Sequence, residues 1–464
     1  MDGSIVVKNR TAAVARWATH ATYKDFDAET ITFTKALLLK TITGMLVGAR
    51  EPIAKILSTY LISQGGVPDA GIVASGVRTT VENAAMANAT FAHASELEDN
   101  ELPSITSAYW MFPGLFPVAQ KQFSTGKELI EAAIITWEVA SRFCRAGPGF
   151  LYMFAHMCPP SWFGPLGVAA GTAKLLKLDE KRTEHAITMS GSYASGLGQA
   201  GCDVHFLESG HTVKMGIQSG YLAAAGATGE LGILELPSSA LYSPVASHGK
   251  VDLSVIDEHL GQAPWAINRA CIKKYSACTY AHTTIDSLGL IMKEHHLGYD
   301  AIELVETTVS PVGKIAVGSK PNPIDLQEAR FSLEYLLSEV MLKGGLSPDS
   351  FTDSATLDDA DWNAAKAKVR VHLDNDLPYE STRAIVKVTA KGGKQYTQQL
   401  DSWLGSPAHP MSYEEIRKLC RPFMETMLSP TDCDRIEFLV GSLEKQPDVH
   451  EIMDILTFSR VGRR

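Results

Sequence analysis

The sequence predicts a mainly α fold, in which a large all-helical domain is made of N-terminal and C-terminal segments and a smaller α+β domain is inserted between them. Three observations carry this. Residues 27–264 read as helix after helix; β-branched alternation begins only after Pro264; and helical patterning returns from Gly405 to about Phe458. The expected boundaries are 1–264, 265–403 and 404–464, with the tail packing on the first segment. At 464 residues the chain is too long for one ordinary core.

Each element has a local reason. Asp27 to Thr43 opens on an Asp cap and places Ile31, Leu37 and Leu38 near one face. Thr79 to Leu97 is alanine-rich, as in a helix packed closely by others, and Lys127 to Cys144 repeats the helical pattern. Gly164 to Leu176 and Lys214 to Glu230 carry small residues at helical spacing, and Asp179 opens a further helix to Gly196. In the second region, Leu304 to Val317, Lys368 to Leu373, Thr382 to Thr389 and Gln395 to Leu400 read as strands, with a helix from Gln327 to Leu342 among them. Gly392-Gly393 supplies a turn. Ser412 and Glu415 form a capping box at the start of the helical tail.

Composition narrows the function. With 45% hydrophobic and 20% charged residues the chain is a folded globular protein, not a disordered one. Its formal net charge of -10 disfavours nucleic acid and anionic membrane as partners. The first residues, MDGSIVVKNR, hold no apolar stretch of signal-peptide length, and no uninterrupted apolar run is long enough to cross a bilayer. Seven scattered cysteines without CxxC or zinc spacing point to reduced thiols and a cytoplasmic setting. No GxxxxGK[ST], no strand leading into GxGxxG, no HExxH and no GxSxG is present. The glycines at 196, 198 and 201 follow a helix and read as a loop.

Four segments hold chemistry-bearing side chains. In Ala92 to Asn100 (AHASELEDN), three carboxylates, Glu96, Glu98 and Asp99, follow a histidine at a helix end; taken alone, that is a solvated helix terminus. In His156 to Gly167 (HMCPPSWFGPLG), Cys158 lies in a tight turn as a packed thiol, or, with His156, as a functional pair. Lys214 enters a small-residue helix, where a buried ammonium demands an anionic partner. In Ile272 to Ser287 (IKKYSACTYAHTTIDS), Lys273, Tyr275, Tyr280 and His282 gather at a domain junction; His282 alone reads as a core histidine with a satisfied hydrogen bond.

Together these segments resemble the MmgE/PrpD superfamily, which includes 2-methylcitrate dehydratase, cis-aconitate decarboxylase and iminodisuccinate epimerase. AHASELEDN resembles its AH-x-x-D-F-D-D-T segment, with Glu96 on the active-site aspartate and Asn100 on the threonine. HMCPPSWFGPLG resembles H-P-P-S-x-x-G-x-x-G, with Cys158 where the family has an active-site histidine. VKMGIQSGYLAAAGATG resembles T-K-x-x-H-x-G-x-A-A, with Lys214 on the active-site lysine. The fourth segment resembles K-x-Y-P-x-C-x-Y-x-H-x-x-I-D-A, with Lys273, Tyr275, Cys278, Tyr280, His282, Ile285 and Asp286 in register. Glu328 to Tyr335 and Gly405 to Phe423 extend the likeness over nearly the whole chain.

The resemblance implies a lyase, dehydratase or decarboxylase, that acts through an enolate on a carboxylate- or carbonyl-bearing small molecule, without metal or organic cofactor and as a homodimer. It also marks a departure. Aligning Pro113 on the family's proline puts Thr106 at the second active-site histidine, so both usual histidines are replaced, at Thr106 and Cys158. Replacements are then expected among Lys273, Glu96 and His282 for proton transfer. Lys214 and Lys273 are expected to hold carboxylate or enolate charge, and Tyr275 or Tyr280 to donate to an enolate oxygen. Asn100, Thr106, Cys158, His156 and Trp110 are expected to line the substrate site, with the run Tyr109-Trp110-Met111-Phe112 reshaping it for a bulkier, less charged guest. An epimerase, isomerase or cyclase is the alternative, because returning a proton needs no leaving group; a non-catalytic ligand-binding descendant is the third.

Overall fold

The structure is a computed structural model that describes residues 9–102, 106–148, 157–198, 202–236, 241–242 and 251–458. It divides into two compact units: residues 1–271 with 412–464, and residues 272–411.

The first unit is built from helices whose starts are written in the sequence. In order they are α1 (Arg10–His20), α2 (Ala28–Gly48), α3 (Pro52–Ser63), α4 (Val81–Ala94), α5 (Ala108–Gln122), α6 (Gly126–Arg145), α7 (Pro159–Leu175), α8 (Glu180–Gly191) and α9 (Cys202–Ala224). Asp27, Thr80 and Asp179 each accept a backbone N–H of the helix they precede, and Thr125 and Glu128 form a capping box at α6. Small residues let these helices touch at backbone distance. A Cβ on Gly48 would lie 1.6 Å from the Phe91 carbonyl oxygen of α4, and one on Gly167 of α7 would lie 2.3 Å from the Thr136 carbonyl oxygen of α6. α2 lies at the centre, in contact with α4, α5 and α6. By length and mean hydropathy it could cross a membrane, and it is the one helix among the described residues that could; 89% of that apolar window is buried within the unit.

Two short sheets complete the unit. β1 (Ala70–Ile72) pairs with β2 (Val77–Thr79), and β3 (Asn100–Glu101) lies between β4 (Thr106–Ser107) and β5 (Ala270–Cys271), all antiparallel. β5 explains why the first unit runs past Pro264: residues 270–271 are the edge of a sheet whose other strands belong to the helical unit.

The second unit holds α10 (His282–Glu294), β6 (Ile302–Val309), α11 (Pro311–Val317), α12 (Leu326–Ala329), α13 (Leu333–Lys343), α14 (Ala360–Lys366), β7 (Val369–Leu373), β8 (Ala384–Ala390) and β9 (Gln395–Leu400). The sheet order is β7-β6-β8-β9, with β6 and β7 parallel and the other pairs antiparallel. Alternate residues of β8 are buried, and α10 packs on β8 and β9. The expected strand from Leu304 to Val317 stops at Val309, because Ser310 caps α11 and Pro311 takes its first position. The unit extends beyond residue 403 because the Trp403 indole N–H donates to the Ile272 carbonyl at 2.9 Å and the Ile272 N–H donates to Gly405 at 2.7 Å.

The tail returns to the first unit as α15 (Tyr413–Met424), α16 (Pro430–Gly441) and α17 (His450–Phe458). Ser412 and Glu415 make the expected capping box. α15 and α16 pack on α2, where Lys35 donates to the Gly441 carbonyl at 2.8 Å and pairs with Glu444 at 3.0 Å.

Candidate active site

The carboxylate-rich segment after α4 is not a solvated helix end. Glu96, Glu98, Asp99, Asn100 and Glu101 are all buried, between 0% and 9% exposed. The turn that buries them is local. The Ser95 hydroxyl donates to the Ala92 carbonyl at 2.6 Å and accepts the Leu97 N–H at 3.1 Å, while Glu96 takes a left-handed φ of 54°. Such a conformation costs a non-glycine residue about 1–3 kcal/mol and gathers at functional sites. The chain then reverses into β3.

Ionised carboxylates inside a protein need compensating partners. Glu101 accepts from the Arg269 guanidinium at 2.8 Å and the Trp137 indole N–H at 3.2 Å. Asp99 pairs with the buried Lys40 at 3.8 Å. Glu96 pairs with Nε2 of His205 at 3.3 Å. His205 stands in the first turn of α9, and its ring lies 4.4 Å, centroid to centroid, from that of His93 in the last turn of α4. Trp110 packs on the His93 ring at 4.5 Å. Burial disfavours charging His205, but the bond to Glu96 and the nearby charges of Glu98 and Glu208 outweigh it and raise its pKa above the ordinary histidine value. The bond to Glu96 thereby favours the protonated ring of His205, beside a carboxylate placed by a strained turn.

Glu208 follows one helical turn later. Burial raises its pKa, against the lowering effect of hydrogen bonds from the Cys158 thiol and the Leu197 N–H. Cys158 itself is the buried N-cap of α7, and its own N–H donates to the Gly196 carbonyl at 3.3 Å. Burial first, and Glu208 second, push the Cys158 thiol far above its usual range. It is a protonated packing thiol, not a substitute base. The glycine at 196 has a φ of 96° and forms the expected loop.

The other expected residues fall in several places. Tyr109, Met111 and Phe112 are core side chains, the Tyr109 hydroxyl donating to the Lys40 carbonyl; of that aromatic run Trp110 faces His93 and also lines a narrow cavity with Ser107, Met111 and Phe163. Asn100 is a buried residue of β3, opposite Ser107 and Cys271. Thr106 is in β4, its side chain outside the described residues, and His156 lies wholly outside them. Lys214 is half-buried on α9. Nine residues of helix separate it from His205, about 13 Å of rise and half a rotation, so it faces away from the Glu96 cluster, on the strip that carries the exposed His211 and Gln218.

In the second unit Lys273 is 1% exposed, and its neighbour Lys274 pairs with Asp286 at 2.6 Å. Tyr275, expected to donate to an enolate, instead donates its hydroxyl to Asp286 at 2.8 Å; burial and that carboxylate raise its pKa. His282, expected to move a proton, is fully buried with both ring nitrogens committed: Nε2 accepts the Tyr275 N–H at 3.3 Å and Nδ1–H donates to the Cys278 carbonyl at 3.2 Å. These bonds tie the ring into the turn. Tyr280 is buried in the 3-10 turn Thr279–Ala281.

Sequence reasoning missed His205 and gave His93 no role. The expected helix began at Lys214, whereas α9 begins at Cys202, twelve residues earlier. The available signal was a His and a Glu at positions i and i+3, 205 and 208, ahead of a small-residue helix.

Residues 12–252 match the MmgE/PrpD N-terminal domain, and residues 275–445 the MmgE/PrpD C-terminal domain. Among curated proteins, the chain is 24% identical to human cis-aconitate decarboxylase over 441 residues, 91% of this chain and 89% of that one. It is likewise 24% identical to cis-aconitate decarboxylase of Aspergillus terreus strain NIH 2624 over 473 residues, 96% of this chain and 95% of that one. The mouse enzyme of that name is also 24% identical, over 79% of this chain and 76% of its own length.

Proposed function

Because the chain belongs to the MmgE/PrpD family, whose relatives here are decarboxylases, we propose that it is a lyase that removes carbon dioxide from a small carboxylate and protonates the resulting enolate from His205. The observation that carries this reading is the His205–Glu96 ion pair, whose carboxylate lies in the segment that resembles the family's aspartate-bearing motif. Decarboxylation breaks a carbon–carbon bond, leaves the electron pair on carbon, and needs an acid to deliver a proton there. An imidazolium whose pKa is raised by neighbouring carboxylates is such an acid. Glu96 holds Nε2–H, which leaves Nδ1–H as the proton to give. Dehydration, by contrast, begins with proton abstraction, which a base already protonated performs poorly.

This reading accounts for the two replaced histidines. His93 and His205 bring imidazole within 4.8 Å of Glu96 from α4 and α9, so Cys158 need not act as a base. Asn100 and Trp110 are the proposed lining groups of this site, and Lys214, which faces away from the Glu96 cluster, is not placed in it. An epimerase is the second reading. It is favoured by one observation, the two imidazoles gathered within 4.8 Å of Glu96 and of each other, which could take and return a proton.

Proton NMR in heavy water with a panel of di- and tricarboxylates separates the two. Carbon dioxide release with one deuteron incorporated into the product supports the decarboxylase. Deuterium exchange into recovered substrate without product supports the epimerase, and silence across the panel removes both.

A further inference from the structure

We propose that His93, Glu96 and His205 form a binding site for one transition-metal ion of the zinc class. A ligand atom from each lies within 4.8 Å of the other two. Metal–ligand bonds of about 2.0–2.2 Å in a tetrahedral site set ligand atoms roughly 3.3 Å apart. His205 and Glu96 already stand at 3.3 Å, and the His93 nitrogen, within 4.8 Å of both, needs to move by up to about 1.5 Å to close the third position. Two imidazole nitrogens and one carboxylate oxygen are the donors zinc takes, whereas calcium and magnesium prefer oxygen alone.

The surroundings favour a cation. Glu98 and Glu208 act electrostatically on His205 with the same sign as Glu96. Trp110 and Phe206 pack against the His93 ring and limit its rotation, as surroundings that orient metal-binding histidines do. His93 and Glu96 are 2% and 1% exposed, while the His205 side chain is 26% exposed and offers the route in. Three protein ligands leave a fourth position open.

The inference rests on the proposed reaction in one respect. A metal held by Glu96 and a nitrogen of His205 occupies the same pair that the proposed reaction uses, so occupancy stops turnover.

The experiment uses the full chain, stripped with chelator, loaded with zinc chloride, desalted and measured for bound metal, with titration calorimetry alongside. One equivalent of zinc is expected in the wild type. His93→Ala and His205→Ala are each expected to weaken binding by about a hundredfold or more, since even outer-shell changes at metal sites cost up to that much. Glu96→Gln, which keeps the side chain's shape, serves where an alanine variant fails to fold. No retained zinc in the wild type, or unchanged binding in the folded variants, overturns the site. Zinc bound through these ligands with turnover intact would leave the metal site standing and overturn His205 as proton donor. Loss of turnover in His205→Gln, with no zinc retained by the wild type, would do the reverse.

Discussion

At the scale of single residues, the chemistry turns on which polar groups already have partners. His282 and Tyr275 sit in the most specific sequence motif, and their bonds to the Cys278 carbonyl, the Tyr275 N–H and Asp286 tie them into a turn. Lys214 has no ion-pair partner among the described residues, and Lys273 is buried. Lys214→Ala and Lys273→Ala test separately whether either cation neutralises substrate charge, removal of a cation that does so lowering kcat/KM by about a hundredfold or more. Steady-state kinetics checks this, and near-wild-type values in both variants remove the lysines from the mechanism. The position of Glu96 was legible, because a motif fixes register whatever the residue's surroundings. Its burial was not, since three carboxylates in four residues read as a wet helix end until Lys40 and His205, distant in sequence, supply the charges.

At the scale of elements, caps were legible and turns between elements were less so. Asp27, Asp179 and Ser412 start helices where the sequence places them, because an N-cap is a local interaction. The start of α9 was hidden behind a glycine cluster that reads as loop, and the end of β6 behind β-branched residues that continue into α11. The docking of the tail on α2 has its own test. Burial raises the Glu444 pKa, but the Lys35 ammonium outweighs it and holds this carboxyl below its ordinary value. A lowered folded-state pKa contributes stability above the unfolded carboxyl's pKa, and that contribution is lost as pH falls through the folded value. Glu444→Gln should therefore cost about 0.5–1 kcal/mol at pH 7, with the difference from wild type closing below about pH 4. Urea denaturation at both pH values measures it.

At the scale of the whole molecule, the order of helical region, strand-rich insert and helical tail could be read from composition alone. The unit boundaries could not, because β5 and the Trp403–Ile272 contact are pairings between segments distant in sequence. The first unit draws on residues 412–464, and α15 and α16 cover α2. Residues 1–271 alone should therefore expose an apolar helix and fail to give a cooperative thermal transition as a monomer. Residues 272–411, a contiguous segment with its own sheet, should melt cooperatively. Circular dichroism with sedimentation analysis reads both. A stable, cooperative 1–271 monomer would show that the tail is dispensable.

The most direct test of the account is a double-mutant cycle on turnover, with Glu96→Gln, His205→Gln and the pair combined in the full chain. Two residues that act as one acid give losses that do not add, so each single variant should fall by about a hundredfold or more and the double variant little further. Additive losses, or single variants that turn over like the wild type, would contradict it.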